Sequence, residues 1–327
     1  MTKKNDKGDF MIEFSKLSSS DLKEALQDVL KTPFLYRDNL NFSAETISLG
    51  IEIEFEKAQK KRITEFLKNY PQWLLKNDHS LNRGLEINSP IFYNTKESWQ
   101  ELKRVMEELK KERAEFYHNA GAHFHVGTQI LGKDVSSWKN FLFMYAYYED
   151  VLSRFFYGER LVPRVTAKTY AYPLTALICE NIEEIKNMES PCKIRNIMPL
   201  TCSNAVSFFH TNFSYLDEML YRNTIEFRGP NGTREEGVWQ NNINVGVKLL
   251  LLSQNSQDNW LKYYYLLKEN PVTDGKMLFY KYIHLKKALE ICDLLFEDDV
   301  DKIYFLKQYL KNYKEDKPFC LTKTVKF

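Results

Sequence analysis

Seven side chains able to bind a metal ion or a phosphate stand at alternate positions of four short apolar stretches. They are Glu52 and Glu54 in GIEIEF (50–55), Glu86 in GLEINS (84–89), His123 and His125 in AHFHVG (122–127), and Glu226 and Arg228 in TIEFR (224–228). Carboxylate oxygens suit hard cations such as Mg2+ or Mn2+, imidazole is a further ligand, and the planar guanidinium fork suits phosphate oxygens. Each motif alone has a plainer reading. A Glu-x-Glu pair is the wet face of an amphipathic strand, a lone histidine is a satisfied structural residue, and Arg228 is an ion-pair partner for an acidic neighbour. Repetition of the pattern is what points to chemistry.

An alternation with a period of two is the signature of a strand. From Thr46 to Phe55, the residues Ile47, Leu49, Ile51, Ile53 and Phe55 fall on one face, and Ser48, Gly50, Glu52 and Glu54 on the other. The two carboxylates then stand about 7 Å apart along the strand. The other three stretches share this parity, so four strands are expected to form one concave, charged wall. A water-facing sheet surface usually mixes in Lys, Thr and Ser, whereas the polar positions here are mainly metal and phosphate ligands. Residues 73–89 read as two short strands around a turn, with Lys76, Asn77, Asp78 and Ser80 at its tip. Asp78 is either a turn residue bonded to its own backbone or a ligand beside Glu86.

Helical periodicity accounts for most of the remaining chain. A first helix is expected after Ser20, as N-cap, with Leu22, Ala25, Leu26, Val29 and Leu30 as its apolar stripe and Pro33 stopping it. A basic helix follows from Ala58 to Asn69. Longer ones run from Glu97 to Glu115 and, capped by Asp134, to Phe156. Tyr157 to Asn187 reads as an irregular insertion ending in a short acidic helix; its Arg160, Arg164 and Lys168 either reach a substrate or, as is commoner, lie on the surface. Arg195 to Phe209 looks extended, and Tyr221 to Gly229 is the last strand. The chain closes with helical patterns over Trp239–Leu252, Asn259–Lys268, Met277–Phe296 and Val300–Tyr313. It holds no repeat period, no low-complexity tract and no glycine-rich phosphate loop.

Composition narrows the function classes. The 327 residues suffice for one large domain or two ordinary ones, and the net charge of +2 without a long basic block argues against a dedicated nucleic-acid binder. The 14% aromatic share sits largely in helical stripes such as Phe141–Tyr148, where core packing is expected. Cys179, Cys192, Cys202, Cys292 and Cys320 lack both an even count and metal-ligand spacing, so they are expected to be reduced and mostly buried. No apolar run approaches the roughly twenty residues of a bilayer span, and a cytoplasmic location without membrane contact is the default expectation.

Taken in order, the four motifs and the Trp73–Ser80 hairpin arm resemble the amidoligase family, a branch of the carboxylate-amine ligase superfamily that includes glutamine synthetase and glutamate-cysteine ligase. The resemblance runs from about Thr46 to Leu252. It implies an α+β fold with a curved antiparallel β-sheet and flanking helices, like the glutamine synthetase catalytic domain. ATP would bind there with two or three Mg2+ or Mn2+ ions, and a carboxylate would be joined to an amine through an acyl phosphate. By matching motif positions, Glu54, Asp78 and Glu86 would hold one ion and Glu52, His123 and Glu226 another, while His125 and Arg228 would contact the ATP phosphates. Asp78 stands where glutamine synthetase has a glutamate, so its shorter side chain would have to sit closer to the ion. Arg195 and Arg222, each near a motif strand, are candidates for the carboxylate substrate.

The expected organisation is an N-terminal extension (1–44), a catalytic domain (45–256) and a C-terminal helical segment packed on it (257–327). Physical chemistry is consistent with these roles. Carboxylates do not condense with amines in water until the leaving group is improved, and phosphoryl transfer needs cations near the β and γ oxygens. Crowded carboxylates also raise one another's pKa unless cations bind. Other readings are a phosphotransferase of the guanidino-kinase kind on the same fold, an interaction protein that has lost catalysis, and a two-metal hydrolase. The last accounts for the carboxylates but not for the paired histidines and Arg228. The particular acid and amine and the oligomeric state are not encoded in any motif.

Overall fold

The computed structural model describes residues 2–4, 10–116, 118–198, 203–216, 223–255, 259–279 and 284–311. Their architecture is α+β, built on one open six-stranded antiparallel sheet. A separate two-stranded ladder pairs β1 (Thr2–Lys4) with β2 (Phe10–Ile12). The main sheet contains β3 (Leu49–Phe55), β4 (Leu74–Asp78), β5 (Gly84–Asn88), β6 (Ala122–Gly127), β7 (Val206–Ser207) and β8 (Thr224–Phe227), in the spatial order β4-β5-β3-β6-β8-β7. The two strands richest in ligand-type residues, β3 and β6, lie side by side at its centre.

The helices are α1 (Ser19–Lys31), α2 (Lys60–Leu67), α3 (Lys96–Lys111) and α4 (Val135–Phe156), then the short α5 (Ala167–Tyr170), α6 (Thr175–Glu180), α7 (Ile182–Lys186) and α8 (Ile194–Ile197), and finally α9 (Glu236–Asn255), α10 (Trp260–Glu269), α11 (Leu285–Leu295) and α12 (Asp299–Leu310). Helix α4 starts where Asp134 accepts hydrogen bonds from the amides of Ser136 and Ser137, as its sequence leads one to expect.

The apolar sheet face and these helices form one core. Ile51, Ile53, Phe55, Phe124, Ile225 and Phe227 are all buried. Phe124 stacks on Phe227 at 4.7 Å, and Phe141 and Phe156 of α4 pack around the pair. Helix α9 crosses close behind: a Cβ on Gly246 would meet the Phe124 ring at 2.4 Å. Its buried asparagines are each partnered through one atom, Asn241 donating to the Tyr304 carbonyl and to Gln308, Asn242 accepting from Gln308 and Asn244 donating to Asp301, while Asn241 Oδ1, Asn242 Nδ2 and Asn244 Oδ1 have no partner among the described residues. These bonds tie α9 to α12. The first and last segments are also tied together, since Asp293 accepts from the amides of Phe14 and Ser15, and Arg37 pairs with the buried Asp301 at 2.5 Å. Among the described residues, no helix is long and apolar enough to cross a membrane.

Several local expectations are corrected. The N-cap of α1 is Ser18, not Ser20, because the Ser18 hydroxyl is the one that accepts from the Asp21 amide. The first sheet strand begins at Leu49, not Thr46. Within the supposedly extended 195–209, residues through Ile197 are helical: Ile194 and Ile197 of α8 are both buried at i, i+3 spacing, too short a repeat to be told from alternation in sequence. The Met277–Phe296 helix starts instead at Leu285, after a 3-10 turn over Gly275–Phe279. Cys179, Cys192 and Cys292 are free thiols, but Cys192 is exposed. Cys202 and Cys320 lie outside the described residues.

Candidate active site

Strand pairing decides which polar side chains meet. In the β3–β5 ladder Glu54 lies opposite Glu86, and in β3–β6 Glu52 lies opposite His123. His125 in turn faces Glu226 across β6–β8, and Lys76 faces Glu86 across β4–β5. Directly opposed residues of an antiparallel pair have Cβ atoms about 5 Å apart, and like charges placed so repel. Glu54 and Glu86 are such a pair. The apolar alternates of these strands are committed to the core, so a slip of one residue would bury the acids, and the register is held.

Two groups of oxygen and nitrogen atoms result, each with its members within 4.8 Å of one another: Glu54, Asp78 and Glu86, and Glu52, His125 and Glu226. The first coincides with a set expected by resemblance. In the second, His125 occupies the place expected for His123. The His123 side chain lies between the two groups, with Nδ1 at 3.4 Å from Glu54, 3.5 Å from Glu52 and 3.8 Å from Glu226. His125 Nε2 is 3.3 Å from Glu52, and its Nδ1 is 3.0 Å from the Thr224 hydroxyl. Asp78 combines its two readings. Its Oδ1 accepts from the Ser80 amide and hydroxyl, closing the turn, while the residue still joins the Glu54 and Glu86 group.

Cations line the same cleft. Arg228 pairs with Glu226, and its Nε donates to the Tyr170 carbonyl at 3.0 Å. Arg164 is buried, with Nη2 at 3.1 Å from His123 Nε2 and further bonds to the carbonyls of Arg228 and Pro230. Thr166, Tyr170 and Ser80 complete the lining. Five carboxylates (Glu52, Glu54, Asp78, Glu86, Glu226) thus face three cationic side chains, Arg164, Arg228 and the more exposed Lys76.

The imbalance shows in the proton affinities. Burial, then the charges of Glu52 and Glu54, push the Glu86 carboxyl up to about 7 against the pull of Asn88 and Lys76. Burial works in the same direction on Glu52, but the imidazoles of His123 and His125 outweigh it and hold that carboxyl well below the usual range. For His125, burial opposes the charge, yet Glu52 and Glu226 win and raise its pKa. Burial lowers Arg164 to about 10, which leaves it charged at neutral pH. Four buried atoms on this wall have no hydrogen-bond partner among the described residues: Asn88 Oδ1, His123 Nδ1, Arg164 Nε and Glu226 Oε2. Surplus negative charge, clustered carboxylate oxygens and the orphaned Glu226 oxygen are what a divalent cation would satisfy.

Of the residues expected at the site, Glu52, Glu54, Asp78, Glu86, His123, His125, Glu226 and Arg228 are brought onto one sheet face. Arg195 is not: it is exposed on α8 with its guanidinium over the Phe213 ring at 5.6 Å. Arg222 lies outside the described residues. Arg164 is the residue whose placement sequence reasoning missed, having read it as an irregular-segment arginine most simply placed on the surface. Its only local signal is the absence of one, since it reaches His123 across 41 positions. A search among curated proteins finds no match. A family model described as "Putative amidoligase enzyme" matches residues 10–250, a span containing every residue of the acidic wall. This chain belongs to the amidoligase family.

Proposed function

We propose that this protein is an ATP-dependent carboxylate-amine ligase that forms an amide bond through an acyl phosphate. Family membership supports the ligase class. The observation that carries the mechanism is the pair of ligand groups on adjacent strands, Glu54/Asp78/Glu86 and Glu52/His125/Glu226, side by side on one sheet face. In this reading the sheet is the counterpart of the curved glutamine synthetase catalytic sheet, residues 45–256 are the catalytic unit, and 1–44 and 257–327 buttress it.

The two groups would hold Mg2+ or Mn2+, whose contribution when bound is to offset charge on the phosphate oxygens of ATP. An oxygen of the substrate carboxylate attacks the γ-phosphorus and ADP leaves. The amine then attacks the acyl carbon, phosphate departs, and the amine proton passes to a base. Arg228 is held at the cleft wall by Glu226 and the Tyr170 carbonyl. From there, with His125 nearby, it is oriented towards incoming phosphate, and a guanidinium fixed in advance loses less freedom on binding. Arg195 would serve the carboxylate substrate only if the cleft extends towards it when substrate binds, and Arg222 is the other candidate for that role.

Thermal unfolding with Mg2+ and ATP, alone and together, tests the reading. A ligand that binds only the folded state raises stability, so a shift requiring both, lost in Glu54→Gln, is expected. Product analysis should then find ADP, free phosphate and an amide. A phosphorylated acceptor would make the protein a phosphotransferase, and no shift at all would leave the wall without its ligands and sink the proposal.

A further inference from the structure

Arg164 approaches His123 from the side away from the glutamates. Its guanidinium donates to the carbonyls of Pro230 (2.7 Å), Arg228 (2.8 Å) and Gly229 (3.4 Å), the three residues that follow β8, and its backbone amide donates to Asn231 at 2.7 Å. The remaining Nη2 proton points at His123 Nε2, 3.1 Å away. This contact needs Gly121, because a Cβ there would sit 2.4 Å from His123 Nε2 and 3.2 Å from Arg164 Cζ.

A guanidinium offers only donors. His123 Nε2 must therefore present a lone pair, and in the neutral ring the proton resides on Nδ1. That atom is buried and faces carboxylates of Glu54, Glu52 and Glu226 at 3.4, 3.5 and 3.8 Å. An imidazole that ligates a metal usually donates its other N–H to an acceptor. His123 has the opposite arrangement, with a cationic donor at its outer nitrogen, and could ligate through Nδ1 only by becoming an imidazolate or abandoning Arg164. His125 has the ordinary one: Nε2 faces Glu52, and Nδ1 faces the Thr224 hydroxyl, which can accept.

We infer that Arg164 is a positioning residue that holds His123 as the tautomer whose Nδ1–H faces the carboxylates of Glu54, Glu52 and Glu226, and that His125 is the imidazole ligand of the Glu52/Glu226 group. The second half rests on the metal reading of the wall proposed above; the first half does not.

Long-range proton-nitrogen NMR spectra of metal-free protein carrying 15N-labelled histidine test the first half, with His123→Asn providing the assignment. The wild type should show His123 protonated at Nδ1, and Arg164→Met should move the proton to Nε2 or average the two forms. A wild-type proton on Nε2, or a spectrum unchanged in Arg164→Met, overturns the assignment. Mn2+ binding followed by electron paramagnetic resonance tests the second half in variants that keep Arg164. Asn places an amide N–H where Nδ1 stood, so His123→Asn should bind as many ions as the wild type with affinity changed by less than about tenfold. His125→Asn should lose one ion. The reverse pattern overturns the ligand assignment. A wild type that binds no Mn2+ overturns the metal reading and the ligand half with it, while the tautomer spectrum still decides the role of Arg164.

Discussion

Neutralising Glu86 should stabilise the metal-free protein and diminish its response to metal. Glu86 is opposed by Glu54 in the ladder, and burial together with the neighbouring acids lifts its carboxyl from an ordinary 4.5 to about 7. Because the folded value exceeds the unfolded one, the native state holds a proton that the unfolded chain releases. The associated stability is present below about pH 4.5 and is lost as pH rises through 7. Those two and a half pH units, at about 1.36 kcal/mol each, amount to about 3 kcal/mol carried by the ionised group above pH 7. Glu86→Gln removes the charge and keeps the shape; its ionic contact among the described residues is the exposed Lys76, 3.8 Å away, a pair worth about 1 kcal/mol at most. In urea unfolding with EDTA at pH 8 the variant is expected to be about 2–3 kcal/mol more stable than the wild type, and at pH 5 within about 1 kcal/mol of it. Mn2+ should invert the order once the ion of the Glu86 group is at about a thousand times its dissociation constant, where it adds about 4.1 kcal/mol to the wild type alone. A variant that is less stable than the wild type in EDTA at pH 8, or one that still gains from Mn2+ as the wild type does, would refute the account of the wall as a repulsive site awaiting cations.

Two further outcomes can be checked by the same unfolding method. Glu149, fully buried on α4, accepts from the amides of Leu174 and Thr175 and from the Thr175 hydroxyl, yet burial still pushes its carboxyl up to about 7. Its stability contribution likewise fades as pH rises through 7. Glu149→Gln should therefore be the less stable protein at pH 5, where it loses an acceptor at a cost of about 1–3 kcal/mol, and should recover about 2.5 kcal/mol relative to wild type by pH 8; a pH-independent difference would refute the assignment. Gly121→Ala forces a Cβ to within 2.4 Å of His123 Nε2. It should destabilise the fold by about 1–3 kcal/mol and weaken Mn2+ binding, and an unaltered urea midpoint would show that the Arg164–His123 contact is not that tight.

Much of the candidate site is legible in the sequence because strands carry their own period. Alternation along β3, β5, β6 and β8 assigns Glu52, Glu54, Glu86, His123, His125 and Glu226 to a polar face before any contact is known, and the apolar alternates make that face obligatory once the core forms. The hairpin of β4 and β5 is local, so the nearness of Asp78 to Glu86 could also be anticipated. The chain could not state the order β4-β5-β3-β6-β8-β7, which sets His125 beside Glu226 across 101 positions of sequence. Nor could it show which histidine sits within ligand range of Glu52 and Glu226, or that Arg164 leaves its irregular segment to lie buried behind His123. These are non-local choices. Parity along a strand is imposed by the geometry of successive peptide units, whereas the partner of a side chain at the next strand, or beneath it, is selected only when the whole core packs.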